Sequence, residues 1–143
     1  MDLSDNEISD LSPLASLTNL TELDLGYNQI SDLSPLAYLT NLTKLDIRHN
    51  ETSDISPLAS LTYLDDIHLA GNKISDLSPL ASLANLTKLV LADNEISDLS
   101  PLIENSGISE GDSLFVQDNP LSAESLNVFI PELEKRGLKR LKW

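Results

Sequence analysis

The stretch NQISDLSPLAYLTNLTKLDIRHN, residues 28–50, begins and ends on an asparagine that holds the same place in a frame of leucines. The asparagine returns every 22 residues along most of the chain, and its last copy follows after 25 residues. Self-similarity at this period is typical of solenoids, in which each unit packs only against its neighbours. The sequence therefore predicts about six stacked coils, with about three residues inserted within 104–112. The repeated asparagines are Asn6, Asn28, Asn50, Asn72, Asn94 and Asn119.

One half of each coil is a short L-x-L segment such as Leu23–Leu25. Its alternation predicts a strand that turns its apolar residues inward and its other residues outward. The asparagine follows where the strand must turn, and its amide can both donate and accept hydrogen bonds. We therefore interpret the asparagines as a structural ladder that satisfies backbone groups between coils, rather than as a ligand site.

The other half of each coil reads ISDLSPLAYLTNL in residues 30–42. The pair Ser34–Pro35, repeated in the other coils, predicts a serine N-cap followed by a proline that suits the first helical turn. Only six to eight residues remain before the next strand, so the helix is short and of the 3-10 or α type.

The frame LxxLxLxxNxIxxLxxLxxLxx resembles the 22-residue leucine-rich repeat of bacterial, internalin-like proteins, over residues 1–121. This resemblance implies a right-handed α/β solenoid with a parallel β-sheet on its concave side and short helices on its convex side. It also implies an extracellular or cell-surface setting and a role in adhesion.

We expect two regions, the solenoid in residues 1–121 and a C-terminal helical cap with a basic tail in residues 122–143. Ser122 is the predicted N-cap of this terminal helix, Pro131 is expected to kink it or to split it into two short helices, and Gly137 to end it. The tail has two interpretations, a solvated face of the cap or a lead into a further domain. The apolar stripe predicted to face the core consists of Leu126, Phe129, Ile130 and Leu133.

The first coil begins at a strand position, Met1, without a polar cap before it. Two explanations are open, a fragment of a longer array or translation that begins within a repeat. An unpaired strand edge invites pairing with another chain. We therefore expect fraying there, or self-association of two copies through the first coil.

Composition excludes several classes of partner. The formal net charge is −14, although five of the nine basic residues lie in the last nine positions. Such an acidic surface repels phosphate, so nucleic-acid binding and docking on anionic membranes are not expected. No apolar stretch is long enough to insert into a bilayer, and the chain has no cysteine.

The outward residues of the predicted strands differ between coils, whereas the convex half is nearly constant. This contrast predicts that the concave face binds a partner, with a charged cluster at one end and an apolar end around Val90 and Phe115. The alternative is that the charges only solvate the face, through cross-strand pairs such as Glu22–Lys44 and Asp66–Lys88. The predicted contact residues are Glu22, Asp24, Tyr27, Lys44, Asp46, Arg48, His49, Asp66, His68, Lys88 and Phe115.

Asp24, Asp46 and His68 fall in one column, which raises the idea of a metal ion. A flat sheet encircles an ion poorly, however, and Arg48 or Lys44 can relieve the repulsion between the two carboxylates. We therefore predict no metal and no cofactor. The sequence also lacks a phosphate-binding loop, a nucleophile elbow or an HExxH pair, so we predict that the chain is not an enzyme.

These observations favour a non-catalytic module that binds another protein, a class that includes glycoproteins, through the concave sheet. The competing hypothesis is an architectural spacer, a piece of a larger surface protein with no specific ligand of its own.

Overall fold

A computed structural model describes the whole chain, residues 1–143. Six strands of three residues each form one parallel sheet, in the order in which they occur in the sequence. This topology confirms the predicted α/β solenoid, in which each coil is stacked on the one before it. The strands are β1 (Glu22–Asp24), β2 (Lys44–Asp46), β3 (Asp66–His68), β4 (Lys88–Val90), β5 (Ser113–Phe115) and β6 (Arg140–Lys142).

The strands pair without stagger, because the 22-residue repeat brings equivalent positions side by side. The central leucine of β1, Leu23, pairs with Leu45 of β2, and the same alignment continues to the last strand. The first coil joins the sheet through a single bridge between Asp2 and Asp24. Side chains at one position of the repeat therefore form a row across the sheet.

The opposite half of each coil is a short helix, as predicted, but the predicted serine N-cap is wrong. The serine is the first helical residue, and the aspartate two residues earlier accepts the hydrogen bond from its backbone N–H. In the second coil, Ser34 N donates to Asp32 Oδ1 at 2.8 Å. A carboxylate at this distance along the chain closes an Asx turn around an N–H that would otherwise lack a partner. The helices are Ser12–Leu14, Ser34–Tyr38, Ser56–Ser60 and Ser78–Leu80, of the 3-10 type, and α1 (Ser100–Glu104).

Apolar side chains from both halves fill the interior of the solenoid. In residues 23–42, seven apolar side chains point inward and none is more than 2% exposed. Full burial of such a side chain stabilises the fold by ~1.5–3 kcal/mol. The buried side chains of all coils form one cluster, so each coil depends on its neighbours. The seven are Leu23, Leu25, Ile30, Leu33, Leu36, Leu39 and Leu42.

The repeated asparagines lie just after the strands, with their side chains turned into the coils. Asn50 Oδ1 accepts a hydrogen bond from Ile30 N at 2.9 Å, in the preceding coil. Asn50 Nδ2 donates to Leu25 O at 3.0 Å and to Ile47 O at 3.1 Å. Leu25 O also accepts from Asn28 Nδ2 at 3.0 Å, so one carbonyl is shared by the asparagines of two coils.

The same arrangement recurs in other coils, although not in the first. Asn6 donates only to carbonyls of its own coil, Leu3 O and Ser4 O, and its side chain is exposed. The asparagines that bond to a preceding coil are Asn28, Asn50, Asn72, Asn94 and Asn119.

After the sixth repeat asparagine, Asn119, the chain forms a π-helical turn, Ser125–Phe129, which continues directly into α2 (Ile130–Lys135). Pro131 lies in the first turn of α2, next to the junction with the π-helical turn, so the proline coincides with a change of helix type. Gly137 has a φ of 76°, a left-handed conformation typical of the residue that ends a helix. None of the helices in the chain has both the length and the apolar content that crossing a bilayer requires.

Within this segment, the predicted apolar stripe is wrong at one position. Leu126 is 44% exposed, whereas Ser125 beside it is fully buried. The π-helical turn is wider than an α-turn, which turns the serine inward in place of the leucine. Ser125 Oγ donates to Ser97 O at 2.8 Å and accepts from Leu99 N at 3.1 Å, which fastens the segment to the fifth coil.

The basic tail adds a sixth strand that the sequence analysis does not predict. Leu141 pairs with Leu114, and Val116 N donates to Lys142 O at 2.8 Å. Arg136 supports this arrangement, because its guanidinium donates to four backbone carbonyls, among them Asn105 O at 2.9 Å. Residues 140–142 therefore extend the sheet, while the side chains of Arg140 and Lys142 stay exposed to solvent.

Candidate functional site

Side chains at alternate strand positions point away from the core and form an outward surface, which we call the sheet face. It is the face that the sequence predicts to be concave and to bind a partner. Neighbouring strands lie about 4.8 Å apart, so each row brings side chains into contact range. One row is Glu22, Lys44, Asp66, Lys88, Ser113 and Arg140, and the other is Asp24, Asp46, His68, Val90, Phe115 and Lys142.

Two ion pairs occupy the first row. Lys44 Nζ lies 2.8 Å from Glu22 Oε1, and Lys88 Nζ lies 3.2 Å from the Asp66 carboxylate. The hydrogen bond and the charge of Lys44 lower the pKa of the Glu22 carboxyl, and the same contact raises the pKa of Lys44. The side chains are well exposed, so water screens these pairs and they add little stability. They are the pairs that the hypothesis of a solvated face predicts.

Asp46 is the most highly connected acid of the second row. Its carboxylate accepts a hydrogen bond from Arg48 N at 3.0 Å and lies 3.3 Å from His68 Nδ1. Arg48 Nε lies 3.4 Å from Asp46 Oδ2, the oxygen that also faces His68, but this buried N–H forms no hydrogen bond. Burial raises the pKa of Asp46, yet the contacts with His68 and Arg48 outweigh it and hold the pKa below its ordinary value.

Tyr27, Arg48 and His49 lie together just beyond the strands, and we call them the aromatic platform. The Tyr27 and His49 rings are stacked, with centroids 4.6 Å apart and an interplanar angle of 24°. The Arg48 guanidinium carbon lies 5.5 Å from the centroid of the Tyr27 ring. The platform therefore presents aromatic and cationic groups already held against one another.

Two glycines of the neighbouring coils make room for this platform. A Cβ on Gly26 would lie 3.2 Å from Arg48 Cγ, and a Cβ on Gly71 would overlap the His49 imidazole. The direction of the Arg48 and His49 side chains thus depends on glycine in the adjacent coil. The three platform residues are predictable from the sequence, but the dependence of their side-chain directions on these glycines is not.

Tyr27 and His49 also occupy a backbone position that the sequence analysis misses. The residue before each ladder asparagine is left-handed in every coil, with φ of 56° at Tyr27 and 51° at His49. Glycine and aspartate, which tolerate this conformation best, fill the position in the other coils. Those residue types were a usable signal in the sequence, namely Asp5, Gly71, Asp93 and Asp118.

The apolar end of the sheet face lies on β4 and β5. Val90 pairs with Phe115, and both side chains are partly exposed. Lys142 Nζ of β6 lies 5.9 Å from the centroid of the Phe115 ring. The sixth strand thus places a cation beside the apolar residues, which the sequence analysis does not predict.

Over the first strands the sheet face forms a shallow groove of about 360 Å³. Asp24 does not share a ligand position with Asp46 and His68, because its Oδ1 accepts a hydrogen bond from Gly26 N at 2.9 Å. No three carboxylate or imidazole side chains converge as metal ligands would. The groove lining includes Asp2, Glu22, Asp24, Lys44, Asp66 and Lys88.

Comparison with known families agrees with the architecture. A family model described as leucine-rich repeats in two copies matches residues 1–38, 40–82 and 64–104. The chain belongs to the leucine-rich repeat family. Leucine-rich repeat proteins are commonly modules for protein interaction and typically have no catalytic activity.

Two solved structures show which members of the family this chain resembles. Internalin C2 from Listeria monocytogenes is 48% identical, with a TM-score of 0.74, over 82% of this chain and 50% of its own length. Internalin F from the same organism is 33% identical, with a TM-score of 0.69, over 98% of this chain and 48% of its own. The chain is thus internalin-like and spans about half the length of these relatives. A search of curated proteins found no match.

A more distant structure shares the fold alone. A leucine-rich repeat protein from Leptospira interrogans has a TM-score of 0.79 at 23% identity, over 99% of this chain and 42% of its own. The solenoid is therefore kept where most of the aligned residues differ.

Proposed function

We propose that the chain is a non-catalytic module that binds another protein through the sheet face, with the aromatic platform at the centre of the contact. The observation that carries this proposal is the use of Tyr27 and His49 at the left-handed turn. A residue other than glycine, asparagine or aspartate in this conformation costs ~1–2 kcal/mol. Two coils accept that cost, and they are the two whose rings stack on each other.

The geometry of the aromatic platform suits a binding hot spot. Tyrosine and arginine are enriched among the residues that dominate binding energy at protein interfaces. The stacking of Tyr27 on His49, and the contact of Arg48 with the Tyr27 ring, restrict these side chains before a partner arrives. A contact made by restricted side chains loses less conformational entropy on binding.

The similarity to internalins supports a more specific setting. We propose that the module acts outside the cell or at a cell surface, in adhesion, on a partner class that includes glycoproteins. Self-association through the first coil stays a prediction, which light scattering at high protein concentration would test.

The direct test is to place a photoreactive phenylalanine analogue at Val90 on the sheet face. The matched control carries the analogue at Tyr38, which is exposed on the helical side of the solenoid. After irradiation with proteins from the natural surroundings of the source, we expect a discrete cross-linked product from Val90 and none from Tyr38. A spacer with no ligand of its own would give no product at Val90.

A second experiment asks whether the aromatic platform carries the contact. The variant combines Tyr27→Asp, Arg48→Ala and His49→Asp, and each new residue is one that other coils carry at that position. We expect cross-linking from Val90 to be lost while the melting temperature stays near that of the parent. The control is Tyr38→Ser with Tyr63→Ser, which removes two exposed tyrosines outside the platform. Equal capture by both variants would contradict the role of the platform.

A further inference from the structure

We propose that the sixth strand forms a second recognition site, which binds a short acidic segment containing an aromatic residue. We call this site the basic end, formed by Phe115 and Gln117 with Lys139, Arg140, Lys142 and Trp143. The proposal rests on the proposed function in that the segment is taken to belong to the bound partner. Its test uses isolated peptides, so that the two proposals can fail separately.

Charge on the sheet face changes sign from one end to the other. The outward positions of the first three strands carry one lysine, Lys44, and four carboxylates. The carboxylates are Glu22, Asp24, Asp46 and Asp66. The last strand instead places Arg140 beside Ser113, and Lys142 beside Phe115. In a chain with a net charge of −14, this is a local region where an anion is favoured.

The cations of the basic end are free to bind a partner. Lys139, Arg140 and Lys142 form no ion pair with any carboxylate of the chain. Two other basic residues nearby are already engaged, since Arg136 donates to backbone carbonyls and Lys135 lies 3.4 Å from Glu132. The arrangement thus separates cations that already have a partner in the chain from cations that have none.

The basic end also contains a groove with the chemistry of a peptide site. The groove has a volume of about 430 Å³ and is lined by Gln117, Leu141, Lys142 and Trp143. Trp143 is 52% exposed, and Gln117 Oε1 is buried without a hydrogen-bond partner. Buried acceptors normally have a donor, so a rotation of the Gln117 side chain toward the groove would let a peptide N–H complete this one. The exposed indole offers a surface on which an aromatic side chain can pack.

Charge favours a short acidic peptide over a long polyanion. The free cations lie within one strand and the residue before it, whereas the sheet face farther along carries Asp24 and Asp46. A nucleic acid or an anionic membrane would extend over that acidic surface and be repelled. A segment of a few residues can contact the basic end alone.

Trp143 is the only tryptophan of the chain, which gives a built-in reporter. The probe is a short synthetic peptide of glutamates flanking one phenylalanine, titrated while Trp143 fluorescence is recorded. We expect a saturable change that weakens with added salt, because the contact is largely electrostatic. The same peptide with lysine in place of glutamate should produce no saturable change.

The charge-reversed variant Arg140→Glu with Lys142→Glu should bind the acidic peptide about tenfold more weakly. The control, Lys73→Glu with Tyr38→Glu and Tyr63→Glu, makes the same change in net charge at exposed positions away from the basic end and should keep the parent affinity. Calorimetry provides a second readout that does not depend on the environment of the indole. Equal affinity in both variants, or no binding at millimolar peptide, would overturn the proposal. Tighter binding of a short single-stranded oligonucleotide would overturn it as well.

The outcomes distinguish this inference from the proposed function. If Val90 cross-links a partner but the acidic peptide does not bind, the inference about the basic end fails alone. If the peptide binds but Val90 cross-links nothing, the basic end stands and the proposed sheet-face function fails.

Discussion

Replacing Asn50 with alanine should destabilise the protein by about 2 kcal/mol, because one buried N–H loses its acceptor. Asn50 is 8% exposed and contacts three carbonyls and one N–H group. The carbonyls do not become unpaired when the amide is removed. Leu25 O keeps its hydrogen bond from Asn28 Nδ2, and Ile47 O keeps one from Asn72 Nδ2.

The group left without a partner is the backbone N–H of Ile30. Ile30 is fully buried, and Asn50 Oδ1 is the acceptor for its N–H. A buried donor without an acceptor costs ~1–3 kcal/mol. Asn50→Asp should cost more than Asn50→Ala, because it keeps this acceptor but places a second oxygen against Leu25 O and Ile47 O.

The assay is urea unfolding followed by circular dichroism, with free energies compared at a common slope. Asn41→Ala is the control, since Asn41 is exposed and donates one hydrogen bond, to Thr18 O at 2.8 Å. Water can replace that bond, so we expect a loss of about 0.5 kcal/mol. If Asn50→Ala costs no more than Asn41→Ala, or if Asn50→Asp is as stable as the parent, the interpretation of the ladder is wrong.

Three further changes test other parts of the fold. Thr52→Ile should stabilise the protein by about 1 kcal/mol, because neighbouring coils carry isoleucine at this fully buried position and added apolar burial is favourable. A lower unfolding midpoint in urea would show that the site has no room for isoleucine. Gly107→Ala should lower the melting temperature, since its Cβ would overlap the Ala84 carbonyl and overpacking costs ~1–3 kcal/mol; calorimetry showing an unchanged melting temperature would contradict this. The lowered pKa of Asp46 should stabilise the protein above about pH 4 and lose that effect as the pH falls further. Unfolding free energies of the parent and of Asp46→Asn should therefore converge in acid, and a constant difference down to pH ~2 would refute the assignment.

The sequence predicts the parts of the fold that the 22-residue period controls. The centres of β1 to β5 and the asparagines follow from that period, because each coil repeats the same contacts as the one before it. The aromatic platform follows less completely. Tyr27, Arg48 and His49 stand out as outward residues, but their mutual contact depends on the space left by Gly26 and Gly71.

The misses lie where local geometry decides and periodicity does not. β6 has one inward leucine, Leu141, and no ladder asparagine after it, so the repeat pattern gives no sign of a strand. Its pairing is set by the free backbone groups at the edge of β5. The exchange of Ser125 for Leu126 depends on a π-helical turn, which has no clear signature in sequence. The capping role of Asp32 in place of Ser34 depends on which oxygen reaches the N–H.

The sharing of each strand-end carbonyl between two asparagines has a consequence for how such genes can change. No ladder bond spans more than one coil boundary, so a duplicated or deleted unit of 22 residues restores the same contacts on both sides. Unequal recombination in steps of one unit should therefore yield folded products, while any other step would bring unlike residues together. Selection can thus adjust the length of the solenoid by whole coils, and the extent of the sheet face changes with it.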